Sequence, residues 1–247
     1  MSVNLCIDWG NTSIKAAIFV DNKITDSHTF SEEKAEEGIT AMITLHKPVK
    51  AILCSVVNHP AAFEEMVKSS VKSFINLNTN TTLPVMNAYA TPESLGVDRL
   101  AIAAGAYAEY PNTNVLVISA GTCLTTNFVQ KNRAFRGGSI SPGLEMRLRA
   151  MNEFTDKLPK VKVDGELIML GYDTDTCMRS GAVYGMVFEI DGMINDYMTH
   201  YPDFNAILTG GDGPYFVNKL KSKIFADPNL LLKGLNLILN HNVPIPR

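Results

Sequence analysis

The strongest constraint on the fold is a pattern that occurs twice: an apolar run, a short turn of small residues and a second apolar run. The first copy spans residues 5–20, where Asp8 ends one run and Ile14 begins the next. The second copy spans residues 115–129, around Gly121 and Thr122. Each copy predicts two strands joined by a polar hairpin. Because the copies lie about one domain apart, the sequence predicts two similar halves.

The turn of the first copy contains groups suited to phosphate. Gly10 lets the backbone approach a ligand closely, because it has no Cβ. Asn11, Thr12 and Ser13 add donors for phosphate oxygens. Asp8 offers only acceptor oxygens and can hold Mg²⁺, directly or through water. An ordinary hairpin with a Gly-Asn turn is the alternative. The second copy favours phosphate binding, so we predict that both hairpins face one nucleotide.

Composition excludes some classes of partner. The chain has 247 residues and a net charge of −3, which argues against nucleic acid as the main partner. No apolar run reaches the roughly 20 residues that span a bilayer, and Asp8 interrupts the first run before it resembles a signal peptide. The four cysteines are far apart in sequence and predict free thiols. We therefore expect a cytoplasmic protein with no membrane partner.

The order of predicted elements indicates an α/β layer fold. A three-stranded meander at the N-terminus is followed by alternating helices and strands up to residue 77. The pattern at residues 175–201 predicts the longest helix, whose broad apolar stripe suits either a dimer seam or a core helix. A Leu-rich helix at residues 229–239 is expected to cap the second half.

A second group of polar residues stands at the start of a predicted helix. Asp98 is followed by Arg99 after a loop that contains Gly96. An Asp in the first turn is commonly a helix cap. The adjacent Arg favours a substrate site, since a guanidinium can bind a carboxylate or phosphate with two hydrogen bonds. The loop at residues 135–143 is either a hairpin return or a wall of the substrate pocket.

Together these features resemble the acetate and sugar kinase/Hsp70/actin superfamily and, within it, the type III pantothenate kinases. The resemblance covers nearly the whole chain. It rests on Asp8-Trp9-Gly10-Asn11-Thr12 with Lys15, on Gly96-Val97-Asp98-Arg99 with Tyr89 seven residues earlier, on residues 137–143, and on Thr174 seven residues before Gly181. It implies two similar ribonuclease H-like (actin-like ATPase) domains, residues 1–114 and 115–247. Each would have a mixed sheet flanked by helices, with a nucleotide cleft between the two.

The resemblance also implies an activity, ATP-dependent phosphorylation of pantothenate to 4'-phosphopantothenate in the first step of coenzyme A synthesis. The ATP phosphates would contact Asp8, Trp9, Gly10, Asn11, Thr12, Ser13, Ile14, Lys15, Gly121 and Thr122. Pantothenate would contact Tyr89, Gly96, Val97, Asp98 and Arg99, with Asp98 as general base and Thr174 reaching it across a homodimer interface. The implied cofactors are Mg²⁺, held at Asp8 through water, and a monovalent cation, K⁺ or NH₄⁺.

Two positions depart from the family pattern. Ser119 stands where the family places an Asp that serves the monovalent cation, and Asn127 replaces a frequent Asp. A hydroxyl is a poorer cation ligand than a carboxylate. One alternative is therefore a weak or inactive relative that binds nucleotide or pantothenate as an accessory or regulatory protein. Another is a different small-metabolite kinase, against which the Asp98-Arg99 and Thr174 spacings count.

Overall fold

The computed structural model describes residues 2–201 and 203–243, which form two compact units. Within the described residues, unit 1 consists of residues 2–112, 129–136 and 229–243, and unit 2 consists of residues 113–128 and 137–228. The predicted division at residue 114 treats the chain as two continuous pieces, whereas two later segments belong to unit 1. In the described part of the chain, no helix is long and apolar enough to cross a membrane.

Unit 1 is built on a five-stranded sheet of order β3-β2-β1-β4-β5. Its strands are β1 (Val3–Trp9), β2 (Ile14–Val20), β3 (Lys23–Phe30), β4 (Lys50–Ser55) and β5 (Ser73–Asn76). The first three strands form an antiparallel meander and the last two are parallel to β1, which confirms the predicted order. Asp21 and Asn22 close the second hairpin with φ values of 48° and 67°, as a tight hairpin turn requires.

Three helices follow the strands of unit 1 in turn: α1 (Glu32–His46), α2 (Ala61–Ser69) and α3 (Val97–Glu109). Side chains of β1 alternate between the two faces of the sheet. Leu5 and Ile7 pack with α1 and α2, whereas Cys6 packs with α3. Asp8 follows Cys6 at strand spacing, so the fold places its side chain on the α3 side. A two-residue strand, β6 (Met86–Asn87), precedes α3.

Unit 2 repeats the strand order of unit 1. Its strands are β7 (Asn114–Ala120), β8 (Cys123–Val129), β10 (Ile140–Pro142), β11 (Phe204–Thr209) and β12 (Phe225–Ala226), while β9 (Ala134–Phe135) pairs with β6 in unit 1. The order β10-β8-β7-β11-β12 corresponds to β3-β2-β1-β4-β5. As in unit 1, an antiparallel strand lies at one edge and two parallel strands at the other. The predicted internal repeat is therefore confirmed at the level of topology.

The helices of the second half are α4 (Leu144–Glu153), α5 (Thr174–His200), α6 (Gly213–Phe216) and α7 (Leu230–Asn242). The buried stripe of α5 packs in the core of unit 2, with members such as Val183 and Ile190. This agrees with the core-helix interpretation of that stripe. Gly181 and Phe188 on another side of α5 stay exposed.

The expectation that the last helix caps the second half is wrong. Helix α7 packs against α3, β1 and β4 of unit 1. Its leucines fill the core on the α3 side of the sheet. The Asn4 Nδ2 group on β1 donates a hydrogen bond of 2.7 Å to Asn236 Oδ1 on α7. The sequence pattern identified an apolar face on this helix but not the surface that covers it.

Candidate active site

The turn between β1 and β2 is tightly closed and partly open to solvent. Gly10 N–H donates to Ser13 O at 3.2 Å, and the side chains of Asn11 and Thr12 are exposed. The backbone and short side chains of this turn are therefore placed where phosphate oxygens can reach them. Two predicted phosphate residues are different: Trp9 is 3% exposed and Ile14 is 2% exposed, so their side chains belong to the core.

Trp9 is braced by residues that the sequence analysis missed. Its ring lies 4.6 Å from that of Phe63 in an edge-to-face arrangement and 5.7 Å from that of His59. His59 Nε2 lies 3.1 Å from Glu64 Oε2, while its buried Nδ1 has no hydrogen-bond partner within residues 2–201 and 203–243. These contacts hold the strand that leads into the turn. Nothing in the sequence around His59 indicated this role.

Asp8 lies at the end of β1, directly opposite Lys15 on β2 and next to Cys54 on β4. Burial and the nearby negative charge of Asp98 raise the pKa of Asp8 to about 7, although the Lys15 ammonium group opposes the shift. Burial, followed by the charges of Asp8 and Asp98, raises the pKa of the Cys54 thiol well above its ordinary value. Asp8 and Asp98, the two acidic residues of the predicted site, are thus close enough to interact electrostatically with each other and with Cys54.

Asp98 lies in the first turn of α3, for which Gly96 is the N-cap residue. A Cβ added to Gly96 would lie 2.5 Å from Asp98 Oδ1, so a larger residue there would displace the carboxylate. Burial raises the pKa of Asp98, while the backbone N–H and the guanidinium group of Arg99 limit the shift. Val97, the first residue of the helix, is partly exposed. This geometry suits a carboxylate that accepts a proton from a bound hydroxyl group.

Arg99 is only 5% exposed and lies against two aromatic rings. Its guanidinium carbon is 5.8 Å from the ring centre of Tyr89 and 5.7 Å from that of Phe135. Tyr89 was predicted to belong to the substrate site. Phe135 is the first residue of the loop at 135–143, for which a wall of the substrate pocket was one of two interpretations. Its contact with Arg99 was not predicted, because β9 lies in a short segment that joins unit 1 from a distant part of the sequence.

In unit 2, three backbone segments meet at the second hairpin turn. Gly121 N–H donates to Cys123 O at 3.0 Å, and Gly143 N–H donates to Thr122 O at 3.1 Å. Gly210 has a φ of 94°, and a Cβ there would lie 2.2 Å from Ala120 O. Glycine is therefore required where the loop before α4 and the turn after β11 approach the hairpin.

Ser119 lies near the end of β7, just before this turn, and pairs with Thr209 on β11. The hydroxyl groups at these two positions are neutral oxygen donors, which suit a weakly held monovalent cation better than a divalent one. Within residues 2–201 and 203–243, no group of three or more His, Cys, Asp and Glu side chains is arranged to hold a metal ion. A divalent ion at Asp8 would therefore depend on phosphate oxygens and water as further ligands.

Thr174 is exposed at the first position of α5. The helix start is well defined, because Asp173 accepts a 2.8 Å hydrogen bond from Thr176 N–H in a reciprocal capping box. The backbone of Thr174 is thus held by the capped helix start, while its side chain is exposed to solvent. Its role towards a partner subunit stays a prediction.

The repeated sheet, the two hairpin turns and the Asp-Arg pair at a helix start define a phosphotransferase of the actin-like ATPase fold. Solved structures share this fold. A conserved Baf family protein from Campylobacter jejuni matches 98% of this chain and 100% of its own with a TM-score of 0.62 at 21% identity. A ROK family glucokinase from Streptomyces griseus, in complex with glucose and AMPPNP, matches 98% and 99% with a TM-score of 0.52 at 12% identity.

Sequence comparison identifies a family within this class of phosphotransferases. The family model described as type III pantothenate kinase matches residues 4–196. A type III pantothenate kinase from Phocaeicola vulgatus is 42% identical over 97% of this chain and 99% of its own length. Another, from Bacteroides fragilis, is 40% identical over 97% and 98%. The chain belongs to the type III pantothenate kinase family.

Proposed function

We propose that this protein transfers the γ-phosphoryl group of ATP to the hydroxyl group of pantothenate, forming 4'-phosphopantothenate for coenzyme A synthesis. The observation that supports this most directly is the arrangement of Asp98 and Arg99. They stand together in the first turn of α3, with the Asp98 charge felt at Asp8 beside the phosphate turn. This reaction needs a carboxylate that accepts the hydroxyl proton, a cation that binds the substrate carboxylate and a turn that binds phosphate.

On the acceptor side, Asp98 accepts a hydrogen bond from the pantothenate hydroxyl group and takes its proton. Burial raises the pKa of Asp98, which makes it a better base than an exposed Asp with a pKa of about 3.9. Arg99 binds the substrate carboxylate. Tyr89, Gly96 and Val97 complete the pantothenate site in this chain, and Thr174 serves the site of the partner subunit in a homodimer.

On the donor side, the donors of residues 10–13 bind phosphate oxygens, and Lys15 supplies a positive charge next to Asp8. The buried side chains of Trp9 and Ile14 anchor the two ends of the turn in the core. In unit 2, Gly121 and Thr122 offer the same kind of turn. Phosphoryl transfer depends on positioning and charge neutralisation rather than on covalent catalysis by the protein, which suits a site of this composition.

The acidic residues fit a divalent cation. Two neighbouring carboxylates, with the pKa of Asp8 raised to about 7 by burial and by Asp98, represent negative charge that Mg²⁺ relieves when it binds. We assign Mg²⁺ to Asp8, through water, where the ion would neutralise phosphate charge. A monovalent cation, K⁺ or NH₄⁺, is assigned to the Ser119 position with neutral oxygen donors. A cytoplasmic location stays a prediction from the sequence.

The decisive experiment is a coupled ADP-release assay with and without pantothenate, in K⁺ and in Na⁺ buffers. We expect pantothenate-dependent turnover that falls by about 10²- to 10⁴-fold in Asp98→Asn, because the base is lost. Asp156→Asn, at an exposed position in unit 2, is the matched control and should keep full activity. Tight binding of pantothenate or ATP without turnover would instead support an accessory, non-catalytic protein.

A further inference from the structure

Phe135 occupies a fixed position beside the substrate segment. It is fully buried, and its strand β9 runs parallel to β6, with Asn87 and Phe135 in register. Ala88 N–H donates to Phe135 O at 3.0 Å. The backbone that leads to Tyr89 is therefore tied directly to the backbone of Phe135. A shift of the Phe135 backbone would therefore also displace this segment.

The rings of Tyr89 and Phe135 lie beside the guanidinium group of Arg99. We call these two rings the aromatic shelf. Their ring centres are 6.4 Å apart and their planes differ by 17°. The guanidinium carbon of Arg99 is nearly equidistant from both, at 5.8 Å and 5.7 Å. Both distances fall within the range of a cation–π interaction.

Such a shelf solves a physical problem for Arg99. A charged group that is 5% exposed has lost most of its hydration, which is costly without compensation. Aromatic faces attract the cation through the ring quadrupole, in addition to the charge of Asp98, which also acts on Arg99. The aromatic shelf therefore stabilises the positive charge of Arg99 and also restricts the orientation of its guanidinium group. Arg99 is thereby prepared to bind an anion with defined geometry.

We propose that Phe135 is a positioning residue for substrate selection: with Tyr89 it holds Arg99 so that the site prefers an acceptor ending in a carboxylate over the same molecule ending in a neutral group. This inference rests on the proposed function, since it assigns the substrate carboxylate to Arg99. Phe135 does not touch the reacting atoms and acts only through Arg99.

The experiment compares pantothenate with panthenol, in which a hydroxymethyl group replaces the carboxylate. The variants are Phe135→Leu and Phe135→Met, which remove the ring and keep an apolar side chain. Phe19→Leu is the matched control, because Phe19 is also a buried Phe in unit 1, at 1% exposure. Steady-state kinetics gives kcat and KM for both acceptors, and calorimetric binding of both compounds provides a readout that does not require turnover.

In the Phe135 variants we expect KM and Kd for pantothenate to rise by about tenfold, with little change in kcat and a much smaller change for panthenol. The preference for pantothenate over panthenol should therefore shrink. Phe19→Leu should lower Tm but leave this preference unchanged. In an Arg99→Lys background, replacing Phe135 should have no further effect on the preference.

An unchanged preference for pantothenate over panthenol in folded Phe135 variants would overturn the inference. Failure of the proposed function looks different, since the parent protein itself would then show no pantothenate-dependent ADP release. The binding arm still decides the role of Phe135 in that case. If neither ring-deleted variant folds, Phe135→Ile, which also removes the ring but suits a strand, replaces them, and an unchanged preference in it overturns the inference as well.

Discussion

At the scale of single residues, the main feature is the accumulation of negative charge near the phosphate turn. Asp8 and Asp98 come from distant parts of the chain, and each raises the energetic cost of ionising buried groups nearby. Lys15 and Arg99 offset part of this charge. A site with surplus negative charge is less stable when empty at neutral pH and is stabilised when cations bind.

The first prediction concerns stability and pH. The pKa of Asp8 is about 7 in the folded protein against 3.8 ordinarily. Between these values the folded state binds more protons than the unfolded state, so the Asp8 contribution to stability falls as pH rises, and the loss is complete above about pH 7. Asp8→Asn should therefore have a higher Tm than the parent near pH 8, and the difference should shrink towards pH 4.

Differential scanning fluorimetry of the ligand-free protein across this pH range measures the effect. Asp156→Asn serves as the control and should show no pH-dependent difference from the parent. If Asp8→Asn is the less stable protein near pH 8, the raised pKa of Asp8 is not a property of the folded state.

The second prediction concerns Ser119. Replacing it with Asp adds a negative charge at the proposed monovalent-cation site. Ser119→Asp should therefore lower the K⁺ concentration for half-maximal rate by about tenfold and raise the rate at low K⁺. Initial rates over a KCl series at constant ionic strength, balanced with choline chloride, separate this from screening. Identical K⁺ responses in both proteins would show that position 119 is not a cation ligand.

At the scale of elements, the crossing of α3 and α7 is defined by two glycines. A Cβ on Gly105 would lie 2.4 Å from Leu230 O, and one on Gly234 would lie 1.8 Å from Ala101 O. The helices therefore approach through backbone contact at two glycines. Asp98 lies in the first turn of α3, so we expect a change in this crossing to move a residue of the predicted substrate site.

The third prediction is that Gly234→Ala destabilises the protein by about 3 kcal/mol or more, since the new methyl group meets a backbone carbonyl that cannot rotate away. Gly192→Ala is the control, at a helical glycine where the added Cβ, apart from its chain neighbours and the backbone of its own helix, has no described atom within 4 Å. Urea unfolding of both variants provides the comparison. Equal stability of Gly234→Ala and the parent would mean that the helices can separate freely.

At the scale of the whole molecule, unit 2 carries exposed apolar side chains on α5 and in the loop before it, where we expect the predicted homodimer interface. Phe188 on α5 is 53% exposed and packs beside Tyr184, with ring centres 6.4 Å apart. Leu170, in the loop before α5, is 87% exposed. Exposed apolar side chains that form a patch commonly mark a protein–protein interface, so we expect a homodimer to cover this part of unit 2. Thr174 lies at the start of the same helix, so association would also bear on the proposed shared site.

The fourth prediction is a homodimer at micromolar concentration, with twice the chain mass of 27.0 kDa by light scattering. Phe188→Glu should shift the protein towards monomer and reduce activity together. Leu45→Glu, at a 74% exposed apolar residue on α1, should leave both unchanged. A monomeric parent with full activity would exclude both the interface and the cross-subunit role of Thr174.

The sequence by itself determined the local parts of this protein. Both hairpins, the succession of strands and helices in unit 1 and the helix start at Gly96 to Arg99 follow from apolar periodicity and turn chemistry within short windows. The residues of the phosphate turn and the Asp-Arg pair could be identified for the same reason, since each set is contiguous. Backbone preference and side-chain chemistry at these positions need no distant partner.

Only the tertiary structure decided which surfaces meet. The sequence showed an apolar face on α7 but not that α3 covers it, and it contained no signal that joins Phe135 to Arg99 or His59 to Trp9. The hydrophobic effect is non-directional, so an apolar face does not specify its partner. Close packing selects the one combination that fits, as the glycines of the helix crossing show.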